Sequence, residues 1–132
     1  MNTGVDVDVQ QRLLQALAAF VESYQARPDL VTEQRGWSPV IALEASDAAA
    51  RVVVSLDDGR VARVAAGAAV GQAGVAPLSP TLEITGGLDT LCDVLMLRRD
   101  PNEPYLFGEL LVVGAEADFV RLDYIASRLC PR

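Results

Sequence analysis

TLEITGGLDTLCDVLMLRRDPNEPYLFGELLVVG, Thr81 to Gly114, is the stretch whose reading decides the fold. Its opening residues alternate, with Leu82 and Ile84 on one side and Glu83 on the other, and Gly86-Gly87 ends the strand. From Leu88 to Leu97 the period changes. Leu88, Leu91, Cys92 and Leu95 fall on one helical face, Val94, Met96 and Leu97 widen it, and only Asp89, Thr90 and Asp93 are polar. A helix this apolar has to be largely buried, and Arg98-Arg99 suits the negative end of its dipole. Asp100-Pro101-Asn102-Glu103 reads as the start of a short helical turn. Asp100 caps it, proline is pre-set for the first position, and Glu103 stands where a capping box places its acid. Gly108 releases the chain into a second strand, Glu109 to Val113, and Gly114 turns it.

The flanks complete the pattern. Asp118 to Leu129 is helical, with Phe119, Leu122, Ile125, Ala126 and Leu129 along one stripe and Asp118, Arg121 and Arg128 off it. Near the start, Asp8 to Gln25 repeats Val9, Leu13, Leu17, Phe20, Val21 and Tyr24 at helical spacing. Arg27-Pro28 closes that helix, because the residue before a proline avoids helical geometry. RPDLVTEQRGWSP reads as a polar connection whose Trp37, the only tryptophan, plugs one end of the core. Three strand-like runs follow: VIALEA from Val40, RVVVSL from Arg51 and RVARVA from Arg60. Asp57-Asp58-Gly59 is a hairpin signal, and acids in such a turn are solvated rather than catalytic or metal-binding. GAAVGQAGVAPLSP is small, uncharged and rich in breakers, a flexible loop over 66–80. The expected organisation is one domain over 1–132: an N-terminal helix in 1–27, three strands in 40–65, the loop, then strand-helix-strand-helix in 81–129. That order gives an α+β layer with helices on one face of a sheet.

Composition removes several function classes. A net charge of −7 opposes nucleic-acid binding, which needs a basic stripe over the phosphates. No apolar run approaches the length of a membrane span, so no transmembrane segment is expected. The acidic start, MNTGVDVDVQQR, lacks the apolar core of a secretion signal, which makes a cytoplasmic location the expectation. Cys92 and Cys130 have no metal-ligand spacing and read as free thiols. The complete absence of histidine takes away the usual general base and the commonest metal ligand. Neither a cofactor nor a metal is expected.

Thr81 to Leu129 resembles the C-terminal half of the sterol carrier protein type 2 family. The resemblance rests on a strand ending in Ile84-Thr85-Gly86, a helix of the form LxxLCDVLM and the dipeptide Asp100-Pro101. It continues through an acidic residue, an aromatic pair flanking Leu106, Gly-Glu-Leu-x-Val-x-Gly from Gly108 to Gly114, and an amphipathic last helix. The N-terminal helix and the DDG hairpin agree only in pattern. The resemblance implies a five-stranded, mostly antiparallel sheet covered on one face by helices. It also implies an apolar tunnel between sheet and helices that takes a sterol, a fatty acyl group or another lipid-like or polyketide-like molecule without a cofactor.

On that reading Leu91, Leu95 and Met96 of the central helix, Phe107 of the turn, and Phe119, Leu122 and Ile125 of the last helix are the expected ligand wall. Tyr105 and Tyr124 are the expected hydroxyls for a headgroup. Alternation that turns Leu110 and Val112 inward sends Leu111 and Val113 outward, joined by Val53 or Val64. An outer face that apolar is expected to meet a second copy or a partner. Two other readings stay open. In one the chain is an assembly module acting through this outer face. In the other it is an enzyme drawing on Asp93, Glu83, Glu103, Tyr124 or Cys92, although a thiolate is disfavoured among the apolar neighbours of Cys92.

Overall fold

The computed structural model describes residues 7–48, 50–66, 80–99, 102–106 and 108–130. The segment 67–79, the Asp100-Pro101 cap and Phe107 therefore lie outside the described residues. The elements run α1 (Val7–Gln25), α2 (Pro28–Glu33), β1 (Val40–Ala45), β2 (Ala50–Asp57) and β3 (Arg60–Ala66). Then come β4 (Leu82–Gly86), α3 (Leu88–Leu95), α4 (Asn102–Leu106), β5 (Leu110–Gly114) and α5 (Glu116–Leu129).

The five strands form one sheet in the order β3-β2-β1-β4-β5. Every neighbouring pair is antiparallel except β1 and β4, where Ile41 stands beside Leu82 and Leu43 beside Ile84. A parallel pair cannot be joined by a hairpin, and here β2 and β3 stand between β1 and β4 in the chain. The hairpin joining β2 to β3 is tight because Asp58 and Gly59 both take positive φ, 54° and 81°, as a two-residue type I′ turn requires. Alternation sorts the two faces. Val52, Val54, Ile41, Leu43, Leu82, Ile84 and Leu110 are buried under the helices. Leu111 and Val113 point away and are 62% and 54% exposed.

Helices cover a single face. α1 packs across β2 and β3 and against α3, burying Leu13, Ala16, Leu17, Phe20 and Tyr24. Gln10 anchors it: the amide nitrogen donates to the Arg51 carbonyl at 2.7 Å and the amide oxygen accepts from Arg51 N–H at 2.9 Å. One side chain thus satisfies both backbone groups of a strand residue. α3 starts at Gly87, which has no capping side chain. Asp47, from the β1–β2 turn, accepts the Leu88 N–H at 2.9 Å instead, satisfying one of the donors a helix start leaves open.

Four expectations change. The polar connection after α1 contains a helix, α2, with Pro28 at its first position and Leu30 fully buried; proline stops one helix and starts the next. α3 ends at Leu95, with Met96 as its C-cap and Leu97 at φ 63°, so Met96 leaves the helical face and is 42% exposed. Val64 pairs with Val54 and shares its inward face, its exposure coming from the edge position of β3. The outer face is less apolar than alternation alone suggests. Arg51 reaches Glu44 at 2.9 Å and Glu83 at 3.4 Å across its middle, which leaves the exposed apolar surface concentrated on edge strand β5.

Candidate functional site

Between the inner face of the sheet and the helices lies a cavity of about 80 Å³. The sheet contributes Ile41, Leu43, Val54, Leu56, Val61, Ile84, Leu110 and Val112. α1 contributes Leu17, Phe20, Val21 and Tyr24, α3 contributes Leu91, Val94 and Leu95, and Trp37 stands between them. α5 closes the space with Phe119, Leu122, Asp123, Ile125 and Ala126. Pockets that enclose a whole organic ligand run to about 300–1,000 Å³, several times this volume. A longer apolar molecule would have to push part of the wall outward. On α5, Phe119 and Leu122 are half-buried, whereas Ile41, Leu43, Val54, Ile84 and Leu110 of the sheet are buried.

One end of the cavity is built from polar groups whose tips are already used. The Trp37 ring nitrogen donates to Asp118 Oδ1 at 2.8 Å, and the Arg121 guanidinium lies 5.8 Å from the centre of the indole. Arg121 also donates to the side-chain oxygen of Gln34 at 2.9 Å, which is how a glutamine only 3% exposed is satisfied. The Tyr24 hydroxyl donates to the Gly59 carbonyl at 2.5 Å, and burial pushes its phenol pKa up. Gly59 is seated against the backbone here: a Cβ on it would lie 2.7 Å from the Gln34 carbonyl oxygen. The hairpin tip, α2 and Trp37 form one plug.

Of the residues expected at the wall, Leu91, Leu95, Phe119, Leu122 and Ile125 come together around the cavity. Met96 does not line it, because the helix stops one residue too early. Neither tyrosine lines it. Tyr105 lays its ring on Phe119 from outside, centroids 4.8 Å apart. The Tyr124 hydroxyl pairs with Glu33 at 3.1 Å and accepts from Arg128 at 2.6 Å. The sequence reading missed the α1 and hairpin contributions. Their signal was the shared apolar stripe of Leu17, Phe20, Val21 and Tyr24 and the alternation of Val54 and Leu56, both read as plain core. It also missed Asp123.

The groups considered for catalysis are dispersed. Glu83 is on the outer sheet face with Arg51, Asp93 pairs with Arg98 at 3.4 Å, and Glu103 pairs with Arg99 at 3.3 Å. Cys92 is buried, which raises its thiol pKa. None of these lines the cavity. Among the described residues no group of three His, Cys, Asp or Glu side chains is placed to hold a metal ion, and no helix is long and apolar enough to cross a membrane.

No family model matches the sequence, and no curated protein matches it. Solved structures do. Sterol carrier protein domain 2 of Helicoverpa armigera superposes with a TM-score of 0.63 at 10% identity, over 99% of this chain and 97% of that one. Palmitated SCP2L2 from Aedes aegypti superposes with a TM-score of 0.56 at 17% identity, over 82% of this chain and 91% of that one. The fold is that of sterol carrier protein 2. The sterol carrier protein 2 fold also occurs inside a larger enzyme: the sec-alkylsulfatase Pisa1 from Pseudomonas sp. matches with a TM-score of 0.53 at 12% identity, over 79% of this chain. The chain spans only 14% of that enzyme's length.

Proposed function

We propose that the chain binds, and hands on without covalent chemistry, an apolar lipid-like molecule held between the sheet and helices α1, α3 and α5. The observation that supports this reading most is the cavity wall, which is apolar except for Asp123 and the polar tips of Tyr24 and Trp37. In an ordinary core such a space is filled, because interiors pack to crystal-like density and a void forfeits contacts. The Aedes protein of the same fold is, by its description, palmitated, which supports an acyl-type occupant. Binding is driven by apolar burial, at about 25 cal/mol per Å². The cavity widens toward a tunnel as α5 is displaced, and Phe119 and Leu122 exchange contact with the sheet for contact with the ligand.

Native mass spectrometry of protein purified without detergent, with Nile red titration after organic extraction, tests this. The expected result is a co-purifying lipid mass and saturable fluorescence that competing apolar molecules displace. Absence of both refutes the carrier reading.

A second reading has its own observation. Leu111 and Val113 are exposed side by side on edge strand β5, and an apolar free edge is a template for pairing. A homodimer joined through β5 buries them.

A further inference from the structure

The polar flank of α5 carries an inference about how the cavity is entered, and it rests on the proposed binding role. Asp118, Arg121, Tyr124 and Arg128 recur at spacings of three, three and four, so they share one side of the helix. All four are tied to a single short segment, 29–37. Asp118 accepts from the Trp37 ring nitrogen at 2.8 Å, and Arg121 donates to the Gln34 side chain at 2.9 Å. Tyr124 donates to Glu33 at 3.1 Å. Arg128 stands 3.8 Å from Asp29 and donates to the Tyr124 hydroxyl at 2.6 Å. The partners step back from Trp37 to Asp29 as α5 advances, so helix and segment are fastened in antiparallel order. The adjoining side of α5 presents Phe119, Leu122, Ile125 and Ala126 to the cavity.

We propose that segment 29–37 is a latch on α5 whose release opens the cavity, so that these ties set how fast a ligand enters. A space of about 80 Å³ admits a longer molecule only where a wall gives way. The sheet wall is held strand to strand by backbone ladders. The polar flank of α5 is held by side-chain bonds instead, and those of Tyr124 and Arg128 are exposed. Water takes over exposed bonds of this kind at little cost, and α5 keeps its own helical hydrogen bonds while they open. A closed latch lowers the fraction of chains able to accept a ligand, and apparent affinity falls with that fraction. Weakening the latch therefore speeds entry without weakening binding, whereas damage to the cavity weakens binding.

Stopped-flow mixing with Nile red, whose neutrality removes charge steering from the rate, tests this alongside equilibrium titration. The double variant Tyr124→Phe/Arg128→Gln removes three of the ties. It is expected to take up Nile red at least about threefold faster than the wild type, in keeping with the small worth of exposed polar pairs, at a Kd no higher than the wild type's. Asp118→Ala repeats the comparison at the other end of the latch should the double variant fold poorly. Arg12→Gln is the control, since it breaks an ion pair of 2.7 Å between α1 and α3 that lies off the latch, and its association rate should stay at the wild-type value. An unchanged association rate in both latch variants, a Kd raised in both, or an equal acceleration in Arg12→Gln overturns the latch while leaving the cavity as the binding site. If Nile red fails to bind the wild type, the carrier reading falls, and this inference falls with it.

Discussion

Replacing Ala126 with leucine separates a cavity that holds a ligand from a core that merely packs imperfectly. Ala126 is 3% exposed on α5 and lines the void. At about 24 cal/mol per Å³, an empty space of about 80 Å³ represents about 2 kcal/mol of forgone stability. The three carbons added in Ala126→Leu bury at about 0.8 kcal/mol each, a similar sum. Strain from an imperfect rotamer takes back part of it, about 1 kcal/mol at the low end of overpacking costs. The net expectation is a gain of about 1 kcal/mol, read as a higher urea midpoint at unchanged m-value and a Tm raised by about 3–5 °C. The same side chain occupies the ligand's place, so Nile red affinity should fall more than about tenfold. Stability and binding must move in opposite directions. A variant destabilised by more than about 1 kcal/mol that still binds Nile red at wild-type affinity would refute both the void and its role as the site.

Other consequences follow from single contacts. Gly59→Ala should cost at least about 2 kcal/mol, since positive φ costs about 1–2 kcal/mol for a residue with a Cβ and the methyl meets the Gln34 carbonyl. Gly36→Ala, at φ +87° with nothing within 4 Å, should cost only the conformational part, and equal losses in urea unfolding would refute the docking argument. Tyr24→Phe should lose about 1–2 kcal/mol by leaving the buried Gly59 carbonyl without its donor. Burial raises the Tyr24 pKa in the folded chain, so the folded state holds its proton more tightly. Its contribution is full below the unfolded value near 10 and is lost as pH rises through the folded one. The wild type should therefore weaken in alkali more steeply than Tyr24→Phe, and parallel pH curves would contradict this. Leu111→Glu should convert a dimer to a monomer in light scattering after gel filtration; a wild type that is monomeric at high concentration ends the β5 pairing idea.

Much of the fold was readable because it is written in periods. Alternation in VIALEA, RVVVSL and TLEIT and the three-and-four spacing in α1 and α5 are direct consequences of one buried face per element. The Asp58-Gly59 turn needs no tertiary context either, since positive φ at both positions is a local demand. What could not be read is where a period stops. Nothing in LDTLCDVLML announces that the helix closes at Leu95 and that Leu97 takes a left-handed conformation. Met96 was assigned to the wall on that account. In PDLVTE the polarity concealed one fully buried residue, Leu30, and a single anchor is too little to show as a stripe.

The site was harder to read than the fold for a different reason. A buried residue in α1 and one in α5 look identical in sequence whether they touch each other or face a gap, because hydrophobicity records exclusion from water and not what replaces it. Leu17 of α1 and Val54 of β2 therefore passed as core, yet both face the cavity with Phe119 and Ile125. Polar residues break this degeneracy. An acid among apolar neighbours costs free energy wherever it is buried, and Asp123, four positions after Phe119 and two before Ile125, stands within the stripe that should be apolar. Asp123 lines the cavity beside Phe119 and Ile125, an interruption of the apolar stripe that a reading by hydrophobic period passes over.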